Sequence, residues 1–358
     1  MNMQSWPDHR ILDLLNIEHP IIQAPMAGSD SVALAKAVAS AGGLGSLGCA
    51  LLSPSQVRDA VRSFRHNLDR PINLNFFCHK LEPLDPVVSA QWKDTLRPHY
   101  GRLHLDIDDV PAAKLRAPFD ADYCTLVEDL SPEIVSFHFG LPEPQFVDRL
   151  KQRRIKILSS ATTLAEAKWL EERGCDAIIA QGSEAGGHRA MFLEKTIATQ
   201  VGLMALLPQI VDNVSVPIIA AGGIADARGI VAALALGASA VQVGTAYLLC
   251  PEANVSGLYR DALMNPDHAT AITNLFSGRP ARGLLNRYMR ESGPMLDTAP
   301  PFPHAATLVA PLRAASEKSG SIDYLQMWAG QSHALAKPMP AATLTKKLVE
   351  DTLKLTST

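Results

Sequence analysis

The stretch Pro217–Cys250, PIIAAGGIADARGIVAALALGASAVQVGTAYLLC, decides the fold. It opens with a continuous apolar run that reads as a strand over Pro217–Gly223 and ends in Gly222-Gly223. Asp226 can then cap a helix that runs through Ile230 and Leu234 and stops at Gly237. A second apolar run, Ala240–Cys250, reads as the next strand. Neither run alternates apolar with polar residues. Strands buried on both faces of a parallel sheet look like this, and strand, helix and strand together make one β-α-β unit.

Working outward, the same alternation covers most of the chain. Six further candidate strands are Pro20–Met26, Leu44–Ala50, Pro71–Phe77, Ile134–Gly140, Lys156–Ala161 and Ala177–Gly182. The helices between them carry their own start signals. Ser53-Pro54-Ser55-Gln56 is a capping box with proline at the first helical position, and Val57, Val61 and Phe64 then recur on one face. Thr163 and Glu166 give a second capping box, and Gly174 ends that helix. Eight strands alternating with helices predict an α/β fold, a (β/α)8 TIM barrel. A doubly wound open sheet is the competitor. It is disfavoured by the number of buried strands and by the lack of GxGxxG after the first.

Two segments exceed a minimal barrel: a polar, Pro-containing stretch between the third and fourth strands, and a long excursion after Cys250. Insertions that follow barrel strands lie on the face that holds the site. The expected organisation is therefore a barrel from residues 1–78 and 131–255. A smaller cap or substrate domain is expected from 79–130 and 256–335, and a C-terminal helix, 336–358, packing on the barrel.

Composition narrows the function. The chain has 358 residues, with 33 basic against 36 acidic side chains, 47% hydrophobic and 19% charged. It is too apolar for a disordered protein and has no basic excess for nucleic acid. The five cysteines, Cys49, Cys78, Cys124, Cys175 and Cys250, are scattered and form no CxxC. No metal site is expected, and reduced thiols fit best. No stretch approaches the ~18 apolar residues of a membrane span. The expectation is a cytoplasmic protein with no membrane and no nucleic-acid partner, as a monomer or homodimer.

Barrel chemistry sits where strands end. Gly222-Gly223, with Gln242-Val243-Gly244-Thr245 after the next strand, offers amide groups unobstructed by side chains and one hydroxyl, a setting for a phosphate. Asn75 and Gln181 are neutral amides suited to the edge of a flat heterocycle, or else to satisfying backbone groups. Ala24-Pro25-Met26 can line one side of such a ring. The combination suits flavin mononucleotide (FMN). His188, after Ala185-Gly186-Gly187, is the candidate for proton chemistry because imidazole titrates near neutrality. His138 and Phe76 are candidate pocket walls, His138 equally a structural donor. Glu184 and Arg189 flank the site, Arg189 as an ion-pair or loop-anchoring residue. Cys49 and Cys78 lack the basic neighbours a nucleophile needs.

Taken in order, the strand endings resemble a known family. IIQAPMAG, AGGLGSLG, NLNFFCH, VSFHFG, AQGSEAGGHR, AAGGIADARG and ASAVQVGTAYLLCPE, with MWAGQ around Trp328, are similar to the successive motifs of nitronate monooxygenase, the 2-nitropropane dioxygenase family, class I. The resemblance implies an FMN-dependent enzyme that oxidises alkyl nitronates, such as propionate 3-nitronate, with O2. The products would be a carbonyl compound and nitrite, and the role detoxification. It places His188 by the flavin, and flavin contacts on Asn75, Gln181, Gly186, Gly223 and Gln242–Thr245, with backbone from Ala24–Met26. Residues 80–130 are the least family-like. Three alternatives stay open: an FMN-dependent NAD(P)H:quinone or enoyl-acyl-carrier reductase on the same fold, a flavin-free phosphate-binding barrel, and a non-catalytic flavin carrier.

Overall fold

Eight of the strands close on one another. In a computed structural model that describes residues 6–111 and 115–357, the strands in chain order are β1 (Ile21–Gln23), β2 (Gly45–Gly48), β3 (Ile72–Phe77), β4 (Ile134–His138), β5 (Lys156–Ala161), β6 (Ala177–Gln181), β7 (Gly187–His188), β8 (Ile218–Ala221), β9 (Ala240–Val243), β10 (Thr270–Thr273) and β11 (Ala281–Leu284). Eight of them form one parallel sheet in the order β1-β9-β8-β6-β5-β4-β3-β2. The seam between β1 and β2 is closed by Gln23 N donating to Leu44 O and Leu44 N donating to Ile21 O, both at 2.9 Å. This is a (β/α)8 barrel.

Each barrel strand has its helix. The starts follow the expected chemistry in two cases. The Ser53 hydroxyl accepts from Gln56 N while the Gln56 side chain accepts from Ser53 N, and Asp226 accepts from Arg228 N. The third case differs. Thr163 caps its helix, but the buried Glu166 carboxylate turns away from the cap. It accepts instead from Thr162 N and from the amides of Phe192 and Leu193, tying down the chain beyond β6.

The eighth helix is supplied late. The expected strand Ala240–Cys250 stops at Val243, and Thr245–Leu248 is already helical. A short apolar run fits either conformation, and the turn at Gly244 decides it. The chain then leaves the barrel and returns as the helix Ala341–Thr356. Its Ala341, Leu344, Leu348 and Val349 share one face and join the barrel core against the helices Val32–Ser40 and Ala227–Ala235. The Tyr247 and Thr345 hydroxyls bond at 2.8 Å, and the Glu252 carboxylate accepts from Ala341 N at the helix start.

The two excursions share a second core. Trp92, Leu96 and Tyr100, from the helix Pro86–Arg102, pack with Leu275, Phe276, Tyr288, Val309 and Leu312. The earlier segment ends sooner than residue 130. Phe119, Cys124, Leu126 and Val127 belong to the barrel core, so the helix Ala121–Leu130 is the one that serves β3. A barrel must cover the outside of that strand, and the polar sequence around the helix hid its apolar stripe. The second excursion also supplies β10 and β11 to a small antiparallel sheet, β10-β11-β7, which draws the segment after β6 into the cap.

Candidate active site

The carboxyl ends of the barrel strands open into a cavity of about 1350 Å³, counted to its open mouth. Its floor and far wall are mostly backbone. Ala24, Pro25 and Met26 line it after β1, Gly222 and Gly223 after β8, and Gln242, Gly244 and Thr245 after β9. The first of these turns is held from behind. Ala24 N donates to Val243 O, and the buried Asp30 carboxylate accepts from Met26 N and Gly48 N, both at 2.7 Å. Burial raises the Asp30 pKa, and those two amides oppose the rise. Asp30 was not singled out in the sequence, where an acid one turn beyond the strand carries no visible signal.

Gly222 and Gly223 have φ of +111° and +71°, a backbone that L side chains rarely adopt. Gln242 carries a buried side-chain oxygen, Oε1, with no partner among the described residues. A buried acceptor without a donor costs roughly 1–3 kcal/mol, so its position on a cavity wall points to a ligand donor. A loop from the second excursion completes this end. Gly330 N donates to Thr245 Oγ1, Ser332 Oγ donates to Gly223 O, and Gln331 N donates to Glu184 O. Gly330 and Ser332 line the cavity but were missed, because nothing in sequence places a loop so distant on those strand ends.

The opposite wall is built around His188. Gly187 and His188 form β7 and pair with Arg282 and Ala281, which fixes the backbone. His138 Nε2 and Gln181 Nε2 both donate to the His188 carbonyl, at 3.1 and 3.0 Å. Gln181 Oε1 accepts from Ala190 N, so this side chain binds the backbone that follows β6. The fully buried Arg189 has no carboxylate partner among the described residues. It donates to Gly182 O, Gln181 O and Gln200 Oε1, which makes it a loop anchor. Gly186 packs backbone to backbone, since an added Cβ would lie 2.6 Å from Ala329 C and Gly330 N. Asn75 lines the cavity and donates through Nδ2 to Ser136.

The His188 ring lies at the cavity with its Nε2 2.8 Å from Ser277 Oγ. Ser277 is itself held by the turn that follows it: Arg279 N donates to Ser277 Oγ, and Arg279 O lies 3.3 Å from the same hydroxyl. Trp328, Phe302, Phe139 and Phe77 surround the ring with centroids 5.4 to 6.1 Å away. Burial in this aromatic box drives the His188 pKa well below its usual value, and the charge of Arg116 adds to the effect. Burial likewise holds His138 near 3 and His79 near 4. All three imidazoles are neutral at pH 7.

Two expected residues lie elsewhere. Phe76 is buried in the barrel core against Phe119 and Tyr123, and its neighbour Phe77 lines the cavity. Side chains alternate along a strand, so the face that carries Asn75 carries Phe77. Val243 is core by the same rule, one residue beyond the inward-facing Gln242. Arg116, Tyr259 and Gln326 also line the cavity and were not expected.

Known proteins match this arrangement. The family model described as nitronate monooxygenase matches residues 8–351. A nitronate monooxygenase of Pseudomonas aeruginosa is 41% identical over 349 residues, covering 96% of this chain and 98% of its own. The solved structure of a nitroalkane oxidase from Streptomyces ansochromogenes superposes with a TM-score of 0.87 at 34% identity, over 97% of this chain and 99% of that one. FabK from Thermotoga maritima is more distant, with a TM-score of 0.72 and 26% identity over 97% of both chains. Fold, site and full-length likeness agree: this chain is an enzyme that belongs to the nitronate monooxygenase family.

Proposed function

We propose that the protein binds FMN in this cavity and uses O2 to oxidise alkyl nitronates to a carbonyl compound and nitrite. One observation carries the reading. The cavity wall includes a guanidinium, Arg116, and a neutral imidazole, His188, and no carboxylate among the described residues. A pocket of that character suits an anionic substrate that has already lost its carbon-bound proton.

The backbone end of the cavity fits a flavin. Glycine amides at Gly222, Gly223 and Gly244 carry no side chain of their own and suit the phosphate. The unpartnered Gln242 Oε1 suits a ring N–H, and Ala24–Met26 form a flat wall. Bound there, the flavin supplies the electron acceptor. The remaining work falls to the chain. Phe77 and Trp328 exclude water from the space beside His188. His188 offers an uncharged ring that Ser277 and β7 hold in place; with the Ser277 hydroxyl donating to Nε2, the ring proton sits on Nδ1 and would donate to the nitro oxygens with little reorganisation. For a neutral nitroalkane the ring would need the opposite tautomer, with the Nδ1 lone pair free to take the carbon-bound proton, and its depressed pKa makes it a weak base.

The reductase alternative is not favoured, since the FabK likeness is the more distant one. Five free cysteines, four of them buried, suit the cytoplasmic location we propose. No helix among the described residues is long and apolar enough to cross a membrane. The test is an aerobic assay of the flavin-loaded protein with propionate 3-nitronate, following nitrite release and oxygen uptake. Stoichiometric nitrite is expected. A flavin-loaded protein that leaves the nitronate untouched while NADH bleaches its flavin would overturn the reading.

A further inference from the structure

Arg116 comes from the first excursion and reaches the cavity wall. Its guanidinium carbon lies 5.9 Å from the centroid of the Phe302 ring, beside the aromatic box that holds His188. No carboxylate among the described residues acts on it. The charge that acts on it is a second cation, Arg313, whose own buried Nε lacks a partner among the described residues. Even partly burying an unpaired cation near another is costly, and proteins pair such charges or give them a ligand. The other cation near the box is already engaged: Arg279 donates to Met191 O and stacks on Phe139 with its guanidinium carbon 3.8 Å from the centroid. Among the described residues beside the box, Arg116 is therefore the charge left free for a ligand.

We infer that Arg116 determines which protonation state of the substrate the enzyme accepts, drawing the nitronate anion to the His188 side of the cavity and giving the neutral nitroalkane no comparable hold. The inference rests on the nitronate reading for the identity of the anion, but the anion site itself is testable without turnover. Arg116 positions charge and takes no part in bond making.

The experiment titrates the flavin-loaded protein calorimetrically with nitrite, a small anion of matching oxygen geometry, and with neutral nitroethane. Wild type, Arg116→Met and Arg116→Lys are compared. A charge-assisted contact is worth about 1.5–3 kcal/mol, so the Met variant should bind nitrite at least about tenfold more weakly. Nitroethane affinity should stay within about twofold, and the Lys variant should recover most of the nitrite binding. Nitrite should raise the Tm of wild type and Lys but not of Met. Without any anion the Met variant should melt no lower than wild type, because it removes an uncompensated, half-buried charge. In turnover, KM for propyl-1-nitronate should rise in the Met variant with kcat little changed. Equal nitrite binding by wild type and Met, or equal weakening of nitrite and nitroethane, overturns the inference. Arg116-dependent nitrite binding in a protein inert to nitronates overturns the proposed reaction and leaves the anion site standing.

Discussion

Replacing Arg189 with Met should destabilise the protein and loosen the site together. The side chain is fully buried and satisfies two carbonyls at the end of β6, Gln181 O at 2.8 Å and Gly182 O at 2.7 Å, as well as Gln200 Oε1 at 2.9 Å. Methionine fills most of the volume and donates nothing. Each stranded acceptor costs roughly 1–3 kcal/mol, less what is regained by no longer burying a charge. Burial already lowers the Arg189 pKa to about 10, so that recovery is real but partial. A net loss of about 3–5 kcal/mol follows. Unfolding entropy of about 2.1 cal/mol/K per residue, over 358 residues, converts this to a Tm drop of about 4–7 °C if unfolding is cooperative. The assay is differential scanning calorimetry of the flavin-loaded protein, with flavin retention after dialysis as a second readout. Retention should fall, because Arg189 adjoins His188 and anchors the same strand end. Arg189→Lys should recover less than half of the stability, since an ammonium cannot span the three acceptors that the planar fork reaches. A Met variant that melts within 1 °C of wild type and keeps its flavin would refute the assignment of Arg189 as the anchor of this loop.

Two further outcomes are expected. Phe76→Ala should cost about 3–5 kcal/mol of stability, as a core cavity does, and leave nitronate KM close to wild type. Phe77→Ala should cost less stability and raise KM. Urea melts and steady-state kinetics separate the pair, and the reverse pattern would place the wrong phenylalanine in the cavity. Stability should also fall as pH drops from about 6.5 towards 4. His79 and His138 are neutral in the folded protein and protonate in the unfolded chain near 6.5, so their contribution is present above that pH and is lost on acidification. His79, displaced from 6.5 to about 4, accounts for roughly 3 kcal/mol at about 1.4 kcal/mol per unit. Urea midpoints at pH 7, 5.5 and 4.5 measure it, and His79→Gln should flatten the dependence.

The barrel was legible in sequence because parallel strands advertise themselves as unbroken apolar runs. Six of the eight candidate runs begin or end within two residues of the strand in the structure on both sides; the largest discrepancy, Ala240–Cys250, joined a strand to a helix of the same polarity. The glycine turns were legible for the same reason, since Gly222-Gly223 stands directly after such a run. The face of a strand was also within reach: once Asn75 is assigned inward, alternation excludes Phe76 and selects Phe77. What could not be read are the contacts that join distant segments. Arg116, Gly330 and Ser332 reach the cavity from two excursions whose own fold depends on their packing against each other. The capping reading of Glu166 failed for a related reason. Its local pattern is correct, but the amides of Phe192 and Leu193 offered the carboxylate a better-buried place.

The late arrival of the helix Ala341–Thr356 bears on how the molecule is made. On a ribosome the eight barrel strands emerge with seven of their helices, and the groove between Val32–Ser40 and Ala227–Ala235 then stays uncovered while the second excursion is synthesised. Closing that groove requires contacts between residues some three hundred positions apart, among the slowest kinds to form. During that interval the nascent barrel presents an apolar trough to the cell, a period in which chaperone capture competes with misassembly. The last helix thus acts as a latch, and removing it would leave the trough open for the life of the molecule.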